Sequence, residues 1–241
     1  FNSLTTLTSV TLGEGAQIGD YAFQKATALT SIDLSKVKSI GEGAFNLANG
    51  LTSVELTNLE ALGIAAFYGA SGLTSVVFGD KLTSVAENAF YGCTALKNVT
   101  LSDSIVELGA YAFTGAIFED IDLEHVTVIG EGALALTPIT SVTLYSGGVK
   151  IGDAAFNKCE KLVTVNNLDK AVYIGNYAFV NTALESANLE SAAYIGDFAF
   201  ANTKLTSVSF GVTFDENGKQ VSTNKLQSLG ENPFSNCAIE T

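Results

Sequence analysis

The side chains best suited to chemistry are one histidine, three cysteines and a short acidic run, and their spacing limits what each can do. His125 is the single histidine of the 241 residues and follows Glu124. A Ser-His-Asp relay would have to use it, and a His-rich zinc site is excluded by the count. An ordinary solvated loop residue is the expected state. Glu119, Asp120, Asp122 and Glu124 crowd four carboxylates into six residues. Period-two alternation puts Asp120 and Asp122 on one face of an extended segment, with Glu124 if the strand continues. Such oxygens suit a hard cation like Ca²⁺, but ligands from one strand rarely surround an ion, so an exposed acidic patch is expected.

Cys93, Cys159 and Cys237 each lie three residues after a phenylalanine, Phe90, Phe156 and Phe234. Other phenylalanines are followed at that distance by Ala26, Ala48, Ala70, Ala116, Thr182 or Thr203, so the position selects a small residue. The cysteines fall in the fourth, seventh and tenth copies of a repeat. Successive ones are therefore three rungs apart, about 14 Å at ~4.8 Å per rung. A disulfide needs Cα atoms within about 7 Å, so buried, unpaired thiols are expected. The pairs Gly13/Gly15, Gly41/Gly43 and Gly130/Gly132 echo phosphate loops but lack the G-x-G-x-x-G spacing.

All of these residues are positioned by an internal repeat of about 22 residues, represented by Leu29 to Phe45, LTSIDLSKVKSIGEGAF, and present in ten versions. The first half reads L-x-x-V-x-L, as in Leu51-Val54-Leu56 and Leu73-Val76-Phe78. Its last two apolar residues are two apart, which gives a short strand with one buried face. Stacking such units predicts a solenoid with one rung of parallel sheet per repeat. The eighth copy, Leu162-Val165, has Asn167 where an apolar residue belongs, so a bulge or altered rung is expected there. The second half reads I-G-[DE]-x-A-F. Its glycine, replaced only by Ala86, suggests a conformation or close approach that a Cβ would hinder. Acids follow it at Asp20, Glu42, Glu87, Glu131, Asp153, Asp197 and Glu231, which fits the first turn of a short helix. The aromatic anchor recurs from Phe23 to Phe234, with Leu134 substituting once.

The chain begins part-way through a repeat, with Phe1 six residues before Leu7, and stops where another strand should begin, at Ile239. Solenoids need polar caps, so a segment of a longer array is expected. The surplus between Phe210 and Leu226 centres on Asn217-Gly218, which predicts a projecting β-hairpin at 212–224 that includes Phe214. The single domain is thus 1–241, a solenoid of about ten repeats with partial repeats at both ends.

With the repeat laid out, Val85-Ala86-Glu87-Asn88-Ala89-Phe90-Tyr91-Gly92-Cys93-Thr94-Ala95-Leu96, running into Val99 and Leu101, resembles the BspA-like branch of the leucine-rich repeats. That resemblance covers the chain outside the hairpin. It implies a right-handed superhelix of the α/β type with a concave parallel sheet and short helical turns or irregular segments on the convex side. It also implies an extracellular or surface location on bacteria or some protists, adhesion or host interaction, and no enzymatic activity.

Twelve Lys and Arg against 25 Asp and Glu give a net charge of −13, which disfavours nucleic acid and anionic lipid. No apolar run is long enough for a membrane helix, and no cofactor is called for. The expected function is a non-catalytic interaction or adhesion module that binds a host or neighbouring-cell protein or glycan. A glycan-binding module and a structural stalk without a ligand are the alternatives. The exposed sheet positions form a ladder of short hydroxyls and amides, interrupted by the acids of the sixth repeat, Asp120, Asp122 and Glu124. A second interruption is aromatic, because Tyr173, Tyr177, Tyr194 and Phe198 share two columns of the eighth and ninth repeats. These residues and the hairpin with Phe214 are the candidate interaction surface.

Overall fold

The structure, a computed structural model, describes residues 1–211, 217 and 225–239. Apart from Asn217, the expected hairpin at 212–224, including Phe214, lies outside the described residues. The chain is a parallel solenoid in which each rung repeats the one before. In Ser53–Leu56, Val54 and Leu56 are buried while Ser53 and Glu55 are exposed, as the alternation requires. This strand pairs in parallel with Ser75–Phe78, which in turn pairs with Asn98–Thr100, each residue opposite its equivalent one repeat later. Ser141–Thr143 with Thr164–Asn166, and Ser186–Asn188 with Ser207–Ser209, continue this face.

Each repeat also carries a second strand, which the sequence pattern does not reveal. It ends on the isoleucine before the glycine, as in Ser39–Ile40 and Tyr194–Ile195. Seven such strands, from Ser84–Val85 to Ser228–Leu229, form the longest described sheet. Most are two residues long, too short to display an alternation of their own. The 34-residue step from Asp197 to Glu231 leaves the register intact, since Tyr194 still faces Ser228. The rungs on either side of the insertion therefore pair in the same register as the others.

The third wall corrects the helical reading of the acids. Residues two before and two after each phenylalanine are left-handed, as in Asn88 (φ 55°) with Gly92 (φ 68°) and Tyr177 (φ 57°) with Asn181 (φ 59°). An α-helix needs an unbroken run of right-handed residues, so none forms. The alternation instead turns every second N–H along the solenoid axis. Tyr177, Phe179 and Asn181 donate to the carbonyls of Asp197, Ala199 and Ala201 at 2.8, 2.7 and 3.1 Å. The rungs before and after do the same in the same direction. The intervening N–H groups close local turns, as Val180 does onto Tyr177. The only helical segment among the described residues is the 3₁₀ turn Leu168–Lys170.

The acids therefore do not cap helices. Asp20, Asp153 and Asp197 accept the backbone N–H of Glu42, Asn176 and Glu231 on the next rung, at 2.8, 2.9 and 2.6 Å. The glycine before each of these N–H groups makes room for that contact. A Cβ on Gly175 would lie 2.4 Å from Asp153 Oδ1 and 2.5 Å from the Asp153 nitrogen. Close approach, rather than a left-handed conformation, is what this glycine column requires.

The core is a file of stacked rings. Phe1, Phe23, Phe45, Phe67, Phe90 and Phe113 stack at 5.0 to 5.4 Å. Leu134 interrupts the file, which resumes from Phe156 through Phe179 and Phe200 to Phe234. Cys93 and Cys159 are buried and unpaired, and their thiols point at the carbonyls of Phe67 and Leu134. Burial raises the two thiol pKa values, to about 12 and about 11. Cys237 is also free but only half-buried, against the expectation of burial, because no described rung packs beyond it.

The altered rung lies where Asn167 predicts it. Asn167 is left-handed (φ 61°) ahead of the 3₁₀ turn, and its Nδ2 donates to the Leu144 carbonyl at 2.8 Å. The next strand, Ala171–Ile174, then slips against Val149–Ile151. Val149 faces Ala171 but Lys150 faces Tyr173, so Val172 is bulged out.

Candidate functional site

His125 sits in an exposed turn with its Nδ1 3.5 Å from the Asp103 carboxylate. Asp120, Asp122 and Glu124 are exposed and, with Ser141 and Thr143, line a shallow depression of about 270 Å³. Asp122 Oδ1 accepts the N–H of Glu124 at 2.9 Å, which turns the chain out of line. Only the isolated bridge Leu123–Leu144 remains of a strand there. Among the described residues no group of three or more His, Cys, Asp or Glu side chains converges as a metal site would require. The one cation paired with the run, Lys161, holds Glu119 at 3.6 Å and leaves Asp120, Asp122 and Glu124 without an ion pair among the described residues.

The aromatic residues are brought together. Tyr173 and Tyr194 are register partners in the seven-stranded sheet, with ring centroids 4.6 Å apart and planes within 7°. Tyr177 and Phe198 stack at 5.5 Å on the same two rungs. The bulge at Val172 lets two successive side chains face outward, with Val172 38% and Tyr173 37% exposed. Tyr177 is 46% exposed. Burial of its ring, and then the charges of Asp153 and the neighbouring Tyr194 group, raise the Tyr173 phenol pKa above its ordinary value.

The second pair is held at a conformational cost. Tyr177 and Phe198 have φ of 57° and 53°, a region that bulky side chains rarely adopt. Elsewhere the same column holds Gly43, Asn88, Gly132 and Asn232, but also Tyr21, Ala65, Tyr111 and Ala154. Between the two aromatic columns in the chain runs a polar one, Asp153, Asn176, Asp197 and Glu231. The backbone N–H groups of Asn176, Asp197 and Glu231 each donate to the side-chain oxygen of the rung before, at 2.6 to 2.9 Å.

Two further tyrosines of the left-handed column were not singled out from the sequence. Tyr21 and Tyr111 donate their phenol hydrogens to Glu42 and Glu131 on the next rung. Their rings lie over Gly43 and Gly132, where a Cβ would come within 2.5 Å of the ring. The signal was present, since each tyrosine is followed one repeat later by Gly-Glu-Gly. The Glu131 hydrogen bond, then burial and nearby carboxylates, push Tyr111 up to about 12. After Tyr177 the next rung offers Asp197 and Phe198 in place of glutamate and glycine, and Phe198, followed by Glu231 and Asn232, has no phenol to donate. Their aromatic surface is left outward.

The sequence model for the BspA type leucine rich repeat region matches residues 1–78, 60–166 and 127–241, which together span the chain. The chain belongs to the BspA-type leucine-rich repeat family. Among solved structures, this BspA-type chain is similar to a leucine-rich repeat protein from Bacteroides ovatus, at 19% identity and a TM-score of 0.45, covering 98% of this chain and 78% of that one. A leucine-rich repeat protein from T. pallidum is 21% identical with a TM-score of 0.48, covering 72% and 79%. A leucine-rich cell surface protein from Faecalibacterium prausnitzii is 17% identical with a TM-score of 0.38, covering 92% and 91%. No curated protein matches the sequence. Among the described residues of this BspA-type chain, no helix is long and apolar enough to cross a membrane.

Proposed function

We propose that this BspA-type chain is a non-catalytic protein-interaction and adhesion module of a secreted or cell-surface protein, and that it binds through Tyr173, Tyr194, Tyr177 and Phe198. The observation that carries this reading is the double aromatic stack beside a bulge, two ring pairs on the same two rungs, where the Tyr68–Tyr91 stack elsewhere on the solenoid is a single pair. Exposed tyrosine supplies large contact area with little side-chain entropy to lose, which suits a binding hot spot. His125 shares a small recess with Ser102 and Asp103, but Ser102 Oγ donates to the Gly79 carbonyl at 2.8 Å and not to the imidazole, which supports a non-catalytic role.

The test compares attachment of the wild-type chain and a Tyr173→Ser/Tyr194→Ser variant to immobilised extracellular-matrix proteins and to epithelial cells. Loss of attachment with an unchanged circular dichroism spectrum is the expected result. Undiminished attachment would remove the site assignment. A second reading, glycan binding, is supported by the other sheet, where Ser31, Asp33, Ser53 and Glu55 line a shallow groove of short polar groups. Glycan-array binding that survives the tyrosine changes would favour it.

A further inference from the structure

We propose that the partner of the aromatic surface is a basic protein segment that lays an arginine over the outer faces of Tyr194 and Phe198, with its charge on Asp197 and Glu231. This rests on the reading that the surface binds, and it adds the chemistry of what is bound. Tyr173 and Tyr177 cover one face of Tyr194 and of Phe198, so among the described residues the faces with no ring against them are those toward the following rung. That rung presents Ser228 opposite Tyr194, a side chain too small to cover a ring. It also presents Asn232, in the same left-handed column as Phe198. Two half-buried aromatic side chains therefore stand on either side in sequence of Asp197, with Glu231 following on the next rung.

The carboxylates there are incompletely used. Asp197 Oδ1 accepts the Glu231 N–H at 2.6 Å, while its second oxygen and the Glu231 carboxylate have no hydrogen-bond or ion-pair partner among the described residues. A guanidinium matches both elements, because it is planar, stacks on aromatic faces and bonds carboxylates through two donors. A neutral sugar ring would use the aromatic faces and leave the charges unmatched. The net charge of −13 draws a basic chain in from a distance. Lys150, the one cation among the described residues of the Tyr173 column, stands on the rung before and opposes the partner from that side. It directs the basic segment toward the later rungs.

The test titrates a fluorescently labelled oligo-arginine peptide with the full chain at about 0.15 M salt, beside a neutral oligosaccharide. Tyr194→Ser weakens peptide binding about tenfold. Asp197→Asn with Glu231→Gln weakens it to a similar degree, and Asn at 197 leaves the rung intact because Asn176 already makes the same bond in this column. Asp120→Asn with Asp122→Asn removes the same charge from the other sheet and changes affinity by less than about twofold, because exposed distant charges are screened. Lys150→Gln tightens binding. Equal weakening by the two acid pairs would reduce the effect to bulk attraction and overturn the proposal, as would an unaffected Tyr194→Ser. If tyrosine changes abolish attachment to matrix or cells while the peptide does not bind, or the oligosaccharide binds in its place, the surface stands and the basic partner falls. If attachment is unchanged as well, both readings fall.

Discussion

Replacing Tyr177 and Phe198 by asparagine separates a functional aromatic pair from a structural one. Both residues sit at positive φ, 57° and 53°. Asparagine tolerates that region, and Asn88 and Asn232 occupy the same column. Relief of left-handed strain is worth up to about 1 kcal/mol per residue for this exchange. Against it stands the lost stack at 5.5 Å, about 0.5–1.5 kcal/mol. Lost apolar burial adds about 1 kcal/mol, a modest figure because both side chains are partly exposed. The opposing contributions nearly cancel, so the double variant Tyr177→Asn/Phe198→Asn should stay within about 1 kcal/mol of wild type in urea unfolding followed by far-UV circular dichroism. Attachment to matrix or cells should nonetheless be lost. A stability drop above about 2 kcal/mol would refute the reasoning, since it would make the pair a structural ladder like the buried phenylalanines. Retained attachment would refute it from the other side.

Phe179→Ala provides the contrast: it empties a fully buried site between two stacks at 5.1 Å and should cost about 3–5 kcal/mol in the same unfolding assay. Among the thiols, Cys237 should react first with a disulfide reagent near neutral pH, while Cys93 and Cys159, buried and with pKa values of about 12 and about 11, should react only on unfolding, as peptide mapping after timed labelling would show. The Tyr111 phenol should ionise near pH 12 in a difference ultraviolet titration, and Glu131→Gln should bring it back toward its ordinary range. Because the folded pKa is raised above the unfolded one, the stability that this contact contributes is complete below about pH 10, the unfolded value, and is lost as pH rises toward 12.

The core was legible because the repeat writes it many times over. Leu51, Val54, Leu56 and Phe67 are each completely or almost completely buried, as their columns require, and a column of ten similar residues averages away the noise of any one. The altered rung at Asn167 was legible for the same reason, as a departure from a strong pattern. The helical reading of Asp20, Asp153 and Asp197 failed because an acid before a short apolar pair suits a helix start and a rung-to-rung bond equally well. Only the next rung's N–H distinguishes them. The second strand was missed because two residues cannot show an alternation.

The sequence by itself determined a parallel solenoid, its register, the file of phenylalanines and the columns in which Tyr173, Tyr177, Tyr194 and Phe198 fall. Those features follow from periodicity, which is a property of one dimension. The tertiary structure alone decided which partners those columns meet. It set the left-handed backbone around each anchor phenylalanine, the one-way hydrogen bonding between rungs, and the bulge that puts Val172 outward beside Tyr173. These depend on contacts between residues about one repeat apart, where the separation of neighbouring backbones, and not residue type, determines which atoms can bond.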